Sequence, residues 1–362
     1  MKVERLGDAR VIMKNEGSRH NYFGWSTVTR LQNGKIAAVA SGYRLGHVCP
    51  FGKAVISYSE DEGESFTVPA PVIDTVLDDR DAGILAFGDK SVMVTSFNNT
   101  RTFQRNYNNT YVRSPYVEGY LNGITDEEEV AVLGSTFRIS NDCGVTFGEV
   151  KRCPVSSPHG PCVLSDGTVL WVGWLCTGDY REPEDEPFLQ AYRVNPDGTC
   201  EYVGSIESVP TLRSEEPYAV EAADGTVICH IRVQGGGGLT DGRKFTLYQT
   251  ESHDQGKTWT KPHQILSDFG GAPAHILRLA DGTLISSYGY REAPYAIRVM
   301  FSKDNGKTWD TDHEIYVNGV HADLGYPSTV QLKNGDFLTV FYAHEKPDAP
   351  AVILAQKWRI AE

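Results

Sequence analysis

Short apolar runs recur along the chain, and a two-residue turn signal lies beside most of them. Typical runs cover residues 35–39, 168–172, 226–229 and 337–341. The turn signals are Asn33-Gly34, Gly88-Asp89, Asp166-Gly167, Asp224-Gly225, Asp281-Gly282 and Asn334-Gly335. Asn-Gly and Asp-Gly favour two-residue β-hairpins because both residues accept positive φ. Helix-period segments are scarce, so the pattern predicts a mostly-β chain with six hairpins.

A second repeat, of the form S-x-D-x-G-x-[ST]-[FW], lies between the hairpins. It covers residues 59–66, 140–147, 252–259 and 302–309. Its Asp can accept hydrogen bonds from backbone N–H groups further along the turn, and its Gly supplies positive φ. The terminal aromatic residue can anchor the turn on a sheet. Four copies indicate a repeated scaffold turn, which we call the Asp box, with no catalytic part of its own.

The two repeats together predict an all-β, six-bladed β-propeller that takes up residues 1–362 as a single domain. The third blade has only a degenerate turn, at residues 195–198, and the sixth shows no Asp box. An insertion rich in Asn, Tyr and Arg, roughly residues 98–129, interrupts the second blade. It lies where a loop could overhang the propeller axis.

Composition narrows the function classes. The net charge of −13 argues against nucleic acid and anionic membranes as partners, although a local arginine cluster could still bind an anion. The N-terminus lacks an apolar signal core and no run reaches transmembrane length, so we expect a cytoplasmic protein; an exported chain that has lost its signal is the alternative. The seven cysteines lack zinc spacing, which favours free thiols. No cofactor or metal motif is visible.

Titratable residues recur at the predicted axial ends of the inner strands. Counting back seven to ten residues from each hairpin glycine reaches Gly24-Trp25, Arg80-Asp81, His159, Glu216, His275 and Tyr326. Counting forward reaches Arg44, Phe97, Trp174, Arg232, Arg291 and His344. Any one could be an ordinary satisfied polar residue, but a whole ring is costly to bury without a ligand. Arginines with only a few carboxylates predict an anionic small molecule.

At this point the chain resembles the sialidase superfamily, also called the Asp-box or BNR-repeat family. The resemblance implies a retaining exo-glycosidase with a tyrosine nucleophile, a Glu that activates it, an Asp acid/base and three arginines for the substrate carboxylate. On that resemblance Tyr326 is the nucleophile and Glu216 its partner. Arg232 and Arg298 correspond to the second and third arginines, and Arg44 resembles an additional one.

Two departures from the family pattern change the assignment. The place of the family's first arginine, in an R-I-P signature, reads Gly24-Trp25-Ser26, and the acid/base stretch after Arg44 contains no Asp. His47, with a suitable intrinsic pKa, or Asp81 is therefore the expected acid/base. Arg80 could supply the missing guanidinium. The remaining residues expected to line the pocket are His159, His275, Tyr290 and Arg291, with Trp174 as a further candidate.

Three functions remain open at this point. The first is a sialidase-like exo-glycosidase that releases a terminal, acidic sugar from a glycan. The second is a glycosidase or lyase for another acidic sugar, such as a uronate, with His47, His159 or His275 in proton transfer. The third is a carbohydrate-binding propeller without catalysis. A hydrogen bond between Tyr326 and Glu216 would favour an enzyme. The expected partner in each case is a glycan, and the oligomeric state is open.

Overall fold

The computed structural model describes residues 1–107, 114–176, 188–210, 212–235, 245–266 and 270–361. Two strands precede the first blade: β1 (Lys2–Arg5) and β2 (Arg10–Met13). Blade one consists of β3 (Tyr22–Arg30), β4 (Ile36–Arg44), β5 (Lys53–Ser59) and β6 (Ala70–Ile73). Blade two consists of β7 (Arg80–Phe87), β8 (Ser91–Phe97), β9 (Ser135–Ser140) and β10 (Lys151–Cys153). Its insertion forms α1 (Arg101–Asn106), α2 (Pro115–Gly123) and α3 (Asp126–Val132).

The other four blades repeat this arrangement. Blade three has β11 (Val155–Ser156), β12 (Cys162–Val163), β13 (Val169–Leu175), β14 (Leu189–Val194) and β15 (Cys200–Ile206). Blade four has β16 (Leu212–Glu221), β17 (Val227–Gly235), β18 (Phe245–Ser252) and β19 (His263–Gln264). Blade five has β20 (Gly271–Arg278), β21 (Leu284–Tyr290), β22 (Tyr295–Ser302) and β23 (Asp310–Gly319). Blade six has β24 (Gly325–Gln331), β25 (Phe337–His344) and β26 (Ala351–Ala361).

The six sheets close into a ring. Their inner strands contact one another in the order β3, β7, β12, β16, β20, β24 and back to β3. The N-terminal strands β1 and β2 both pair antiparallel with β26, so the two ends of the chain meet in blade six. The predicted six-bladed propeller is confirmed. Because the outer strands of blade six come from the N-terminus, β26 needs no turn of the Asp-box type after it.

The Asp boxes have the hydrogen bonds that the sequence predicts. In the first box the Asp61 carboxylate accepts from the backbone N–H of Ser65 at 2.9 Å and from the Ser59 hydroxyl at 2.8 Å. The Ser59 hydroxyl oxygen in turn accepts from the N–H of Gly63, whose φ is 78°. Hydrogen bonds, led by the one from the Ser65 hydroxyl, lower the pKa of Asp61 to about 2. Each box connects the third strand of a blade to the fourth.

Apolar side chains fill the spaces between neighbouring blades. Val39 and Ile56 of blade one, for example, belong to one cluster with Ile84 and Val94 of blade two. Both faces of each sheet are covered in this way. The middle strands are therefore apolar at successive positions, whereas a half-exposed strand would alternate apolar and polar residues. The thiols of Cys49, Cys153, Cys162 and Cys229 are buried. Along the described chain, none of the helices is long and apolar enough to cross a membrane.

Candidate active site

Four of the six inner strands carry, at the same end, a β-bulge that holds a non-glycine residue with positive φ. These residues are Trp25 (55°), Asp81 (48°), Glu216 (49°) and Tyr326 (49°). The register with the neighbouring strand shifts at each of them. A non-glycine residue in this region costs on the order of 1–3 kcal/mol, and such strain clusters at functional sites. All four side chains line one cavity at the axis.

This axial cavity has a volume of about 970 Å³. The charged side chains among its described lining are the arginines Arg80, Arg213, Arg232 and Arg291, and the acids Asp81, Glu215, Glu216, Glu292 and Asp323. Its aromatic side chains are Trp25, Phe103, Tyr107, Phe245 and Tyr326, and its histidines are His47 and His321. The cavity therefore holds more carboxylates than the sequence pattern predicted.

Tyr326 and Glu216 form a short hydrogen bond at the cavity floor. The Tyr326 hydroxyl donates to Glu216 Oε1 at 2.5 Å, and both residues are more than nine-tenths buried. Arg232 Nη1 donates to Glu216 Oε2 at 2.6 Å and to the Tyr326 hydroxyl oxygen at 3.1 Å. Burial and the Glu216 charge raise the pKa of Tyr326 well above that of an ordinary phenol, so the resting hydroxyl is protonated.

Asp81 is the second buried acid of the cavity. Burial, supported by the Glu216 charge and opposed by Arg80, raises the pKa of Asp81 to about 7. Its Oδ1 atom is buried and has no hydrogen-bond partner among the described residues. A carboxyl group that is half protonated near neutral pH can act as a general acid and then as a general base.

Trp25 occupies the place where the sequence pattern lacks the family's first arginine. Its ring is buried, and two guanidinium groups lie over it: that of Arg80 at 4.5 Å and that of Arg44 at 4.8 Å from a ring centroid. Cation–π contacts of this kind hold a guanidinium without neutralising it. Arg80 therefore lies in the cavity wall with its guanidinium against the indole ring.

Asp323 organises the wall beside Trp25. Its carboxylate accepts hydrogen bonds from the hydroxyls of Tyr22 (2.7 Å) and Tyr342 (2.8 Å). His47 Nδ1 lies 3.1 Å and His344 Nε2 3.3 Å from its two oxygens. Burial alone would raise the pKa of Asp323, but these partners hold it well below its usual value. Burial lowers the pKa of His47, against the opposing effect of Asp323.

Arg291, unlike Arg232, donates its hydrogen bonds to neutral groups. Its Nε donates to the backbone carbonyl of Leu324 at 2.9 Å and its Nη2 to the Tyr342 hydroxyl at 3.1 Å. The guanidinium lies 5.6 Å from the ring centroid of Tyr326 and 5.2 Å from that of Phe245. It therefore brings positive charge close to the Tyr326–Glu216 pair.

Comparison with known proteins now identifies the family. The BNR repeat-like domain family matches residues 122–339, which is more than half of the chain. The chain belongs to the BNR repeat-like family. No curated protein sequence matches it significantly.

Several solved structures have the same propeller fold as this chain, at low sequence identity. A protein of unknown function from Dyadobacter fermentans has a TM-score of 0.78 at 22% identity, with 99% of each chain covered. The NanB sialidase of Streptococcus pneumoniae has a TM-score of 0.70 at 13% identity, over 98% of this chain and 71% of that one. An intramolecular trans-sialidase from Ruminococcus gnavus has a TM-score of 0.66 at 11% identity, with 97% of both chains covered. The predicted resemblance to the sialidase superfamily is confirmed at the level of family and fold.

The structure brings seven of the predicted site residues of this BNR repeat-like chain to the cavity. They are His47, Arg80, Asp81, Glu216, Arg232, Arg291 and Tyr326. His159 and His275 lie beneath it: the His159 ring is 6.4 Å from Tyr326 and 5.3 Å from His275. Burial lowers the pKa of His275 to about 3, so that imidazole is neutral.

Arg44 and Arg298 are absent from the described lining, because each is held elsewhere by carboxylates. Arg44 is fully buried and makes a bidentate ion pair with Asp78 at 2.6 and 2.9 Å. Arg298, on the third strand of blade five, pairs with Glu314 at 3.1 Å on the fourth strand. Tyr290, also absent from that lining, stacks with the Arg298 guanidinium at 3.6 Å.

Trp174 is likewise absent from the described lining. It packs against Phe97 in the core between blades.

Several cavity residues were not predicted. Asp323 lies three residues before Tyr326, outside the counting window that located the inner-strand ends. Glu215 precedes Glu216 and forms ion pairs with Arg213 and, at 3.7 Å, with Arg232. Phe103 and Tyr107 come from the insertion, which was expected near the axis, but no residue of it was predicted to line the pocket. The doublet Glu215-Glu216 was the one available signal, since two adjacent acids at a strand end are costly without cationic partners.

One group of described residues has the composition of a metal site. His321, Asp323 and His344 each place a possible ligand atom within 4.8 Å of the other two. These atoms already have hydrogen-bond partners: His321 Nδ1 accepts from the backbone N–H of Asp323 at 2.9 Å, and His344 Nε2 faces Asp323. A metal ion would therefore compete with the hydrogen bonds around Asp323.

Proposed function

We propose that this protein is a sialidase-like exo-glycosidase that releases a terminal acidic sugar from a glycan. The observation that carries the proposal is the 2.5 Å hydrogen bond from the Tyr326 hydroxyl to Glu216, with Arg232 donating to both groups. A phenol alone is a weak nucleophile, and an adjacent carboxylate that accepts its proton activates it. A binding module has no need for a buried, strained acid–phenol pair.

In the first step the Tyr326 oxygen attacks the anomeric carbon while its proton passes to Glu216. The bond from that carbon to the leaving oxygen breaks, and Asp81 gives its proton to the leaving group. In the second step Asp81, now a carboxylate, takes a proton from water. The water oxygen attacks the anomeric carbon, and the phenol oxygen leaves and regains its proton from Glu216. Two displacements retain the anomeric configuration.

Asp81 is our choice for the acid/base because burial raises its pKa to about 7. His47 lies in the same wall, but burial lowers its pKa, which disfavours the imidazolium that a general acid requires. We therefore assign His47 to the cavity wall and proton donation to Asp81.

Arg291 and Arg80 are the groups we propose for the negative charge of the sugar. The Arg232 guanidinium is already neutralised by Glu216 at 2.6 Å. Arg291 donates to two neutral oxygens, so its charge is available to a substrate carboxylate. Arg80, on the opposite inner strand β7, can complete the clamp beside Trp25.

Five carboxylates in the cavity lining and Trp25 in place of an arginine favour a second candidate sugar class. An acidic sugar whose carboxylate needs fewer arginine contacts than that of sialic acid, such as a uronate, fits this charge balance. The chemistry would be the same if Tyr326 attacks, or an elimination if a neutral histidine such as His47 removes a proton. An elimination would leave a carbon–carbon double bond conjugated with the carboxylate, which absorbs in the ultraviolet.

The test is a screen of aryl glycosides of sialic acid, Kdn, Kdo, uronic acids and rhamnose with the purified chain. We expect release of the aryl group from at least one acidic glycoside, and loss of at least 1,000-fold in kcat for Tyr326→Phe, about 4 kcal/mol of barrier. Calorimetric binding of the sugar should survive that change. Tyr58→Phe, which removes a hydroxyl that donates to Gly144 between blades one and two, is the matched control.

Full activity of Tyr326→Phe would eliminate the nucleophile assignment. Sugar binding without turnover of any glycoside by the unaltered chain would establish a binding propeller. Ultraviolet-absorbing products would establish a lyase.

A further inference from the structure

The described part of the blade-two insertion packs on the propeller and forms one wall of the cavity. Val117, Leu121 and Ile124 of the insertion share an apolar cluster with Leu45 and Leu77 of the propeller. The side chain of Arg101 donates to Glu129 at 2.6 Å and thereby joins α1 to α3. The hydroxyl of Tyr120 donates to the carbonyl of Val76 at 3.0 Å.

A buried polar connection sets the orientation of α1. Gln104 is 1% exposed, and its amide donates to Asp78 Oδ2 at 3.1 Å. Asp78 also carries the bidentate pair with Arg44, which lies at the end of β4. The helix therefore turns one side towards the propeller. Phe103 and Tyr107, four residues apart, lie together on an adjoining side.

Phe103 and Tyr107 present two aromatic rings to the cavity. Their centroids are 5.9 Å apart with a tilt of 41°, and both side chains line the axial cavity while remaining partly exposed. The charged residues of the site lie at the strand ends of the propeller, whereas α1 lies beyond those ends. A cavity of about 970 Å³ is at the upper end of the range of roughly 300–1,000 Å³ that holds a drug-sized ligand. One sugar ring leaves part of it unfilled.

The position of Asp81 assigns this aromatic wall to the leaving group. Asp81 is on β7 of blade two, and the insertion connects β8 to β9 of the same blade. An acid that protonates the leaving oxygen must face that oxygen, so the leaving group lies on the blade-two side. The same side is covered by α1.

We propose that Phe103 and Tyr107 form a subsite for the leaving group, which is a neutral sugar ring whose apolar C–H face stacks on the aromatic rings. This inference rests on the proposed function through the role of Asp81. It makes the natural substrate a glycan of at least two residues, with the acidic sugar at the floor and a neutral pyranose against α1. Phe103 and Tyr107 then determine specificity.

The experiment compares two leaving groups on the acidic sugar that the chain accepts. One substrate is a disaccharide with a neutral second residue, and the other is the glycosyl fluoride, whose leaving group is too small to reach α1. We expect Phe103→Ala to lower kcat/KM for the disaccharide about 10-fold, mainly through KM. The kcat/KM of the same variant for the glycosyl fluoride should stay within about twofold of the wild-type value. Phe103→Leu keeps the apolar packing of α1. It should likewise lower kcat/KM for the disaccharide and leave kcat/KM for the fluoride nearly unchanged.

Tyr116→Ala is the matched control, because Tyr116 is an aromatic residue of the same insertion, is 51% exposed and is absent from the described lining. This variant should have the wild-type kcat/KM for both substrates. If Phe103→Ala and Phe103→Leu lower kcat/KM equally for both substrates, the role of Phe103 is structural only and the proposal is overturned. Unchanged kcat/KM for both substrates would overturn it as well.

If the unaltered chain cleaves neither substrate, the proposed function fails, and the subsite is then tested by binding alone. Calorimetric titration with the disaccharide would support the subsite if Phe103→Leu weakens affinity about 10-fold. Unchanged affinity would overturn it.

Discussion

Replacing Asp81 by Asn removes the acid of the cavity with little change in shape. The wild-type carboxyl group is 3% exposed, and burial raises its pKa from 3.8 to about 7. Asparagine has a similar volume and tolerates the φ of 48° at this bulge better than most residues. The variant therefore isolates the effect of the buried ionisable group.

The free energy at stake follows from the two pKa values. Between pH 3.8 and pH 7 the folded wild type keeps the proton that the unfolded chain has lost, so its stability falls as the pH rises through this window. A difference of about three pH units corresponds to about 4 kcal/mol in total. About 1 kcal/mol of it is already lost at pH 4.5, so the advantage of Asp81→Asn should grow by about 3 kcal/mol between pH 4.5 and pH 8.

The assay is urea denaturation of both proteins at pH 4.5, 6 and 8. Comparing the change with pH cancels any fixed effect of the substitution on packing. Asp89→Asn, in an exposed hairpin turn, serves as the control and should track the wild type at every pH. A stability difference for Asp81→Asn that stays constant within about 1 kcal/mol from pH 4.5 to pH 8 would refute the reasoning, since the predicted change is about 3 kcal/mol.

Three further predictions concern activity and the scaffold. The kcat of the wild type should fall as the pH rises above about 7, because Asp81 must be protonated to donate; a flat profile with a poor leaving group would contradict that role. Arg44→Met should lower the unfolding free energy by about 3–5 kcal/mol in urea titration, since it leaves Asp78 charged and buried, whereas the double variant with Asp78→Asn should recover part of that loss. Asp304→Ala removes hydrogen bonds from Thr308 and Ser302 and should cost about 1–3 kcal/mol in thermal unfolding while kcat remains unchanged.

Much of the candidate site could be located from hairpin spacing, because every blade repeats the same geometry. A count from each hairpin glycine reached Asp81, Glu216 and Tyr326, and the structure places all three on bulges of inner strands. The count worked because the bulge residue lies seven to nine residues before the hairpin glycine in these blades. Arg291, reached by counting forward, also lies in the cavity.

Neither the count nor the family resemblance could separate cavity arginines from structural ones. The count reached Arg44 and the resemblance pointed to Arg298, yet each is held by a carboxylate that the local sequence does not identify. Asp78 is 34 residues from Arg44, and Tyr22 is 301 residues from Asp323, to which it donates. Partners at such separations are brought together only when the blades close into a ring.

Turn chemistry and strand count were determined by the sequence alone, since the groups that close an Asp box or a hairpin lie within eight residues of one another. The number of blades follows from repeating those local units. The pairing of charges, the raised pKa of Asp81 and the placement of α1 over the cavity were decided by the tertiary structure. The physical reason is that desolvation and charge–charge contacts depend on which groups of distant blades meet at the axis, and no local pattern encodes that meeting.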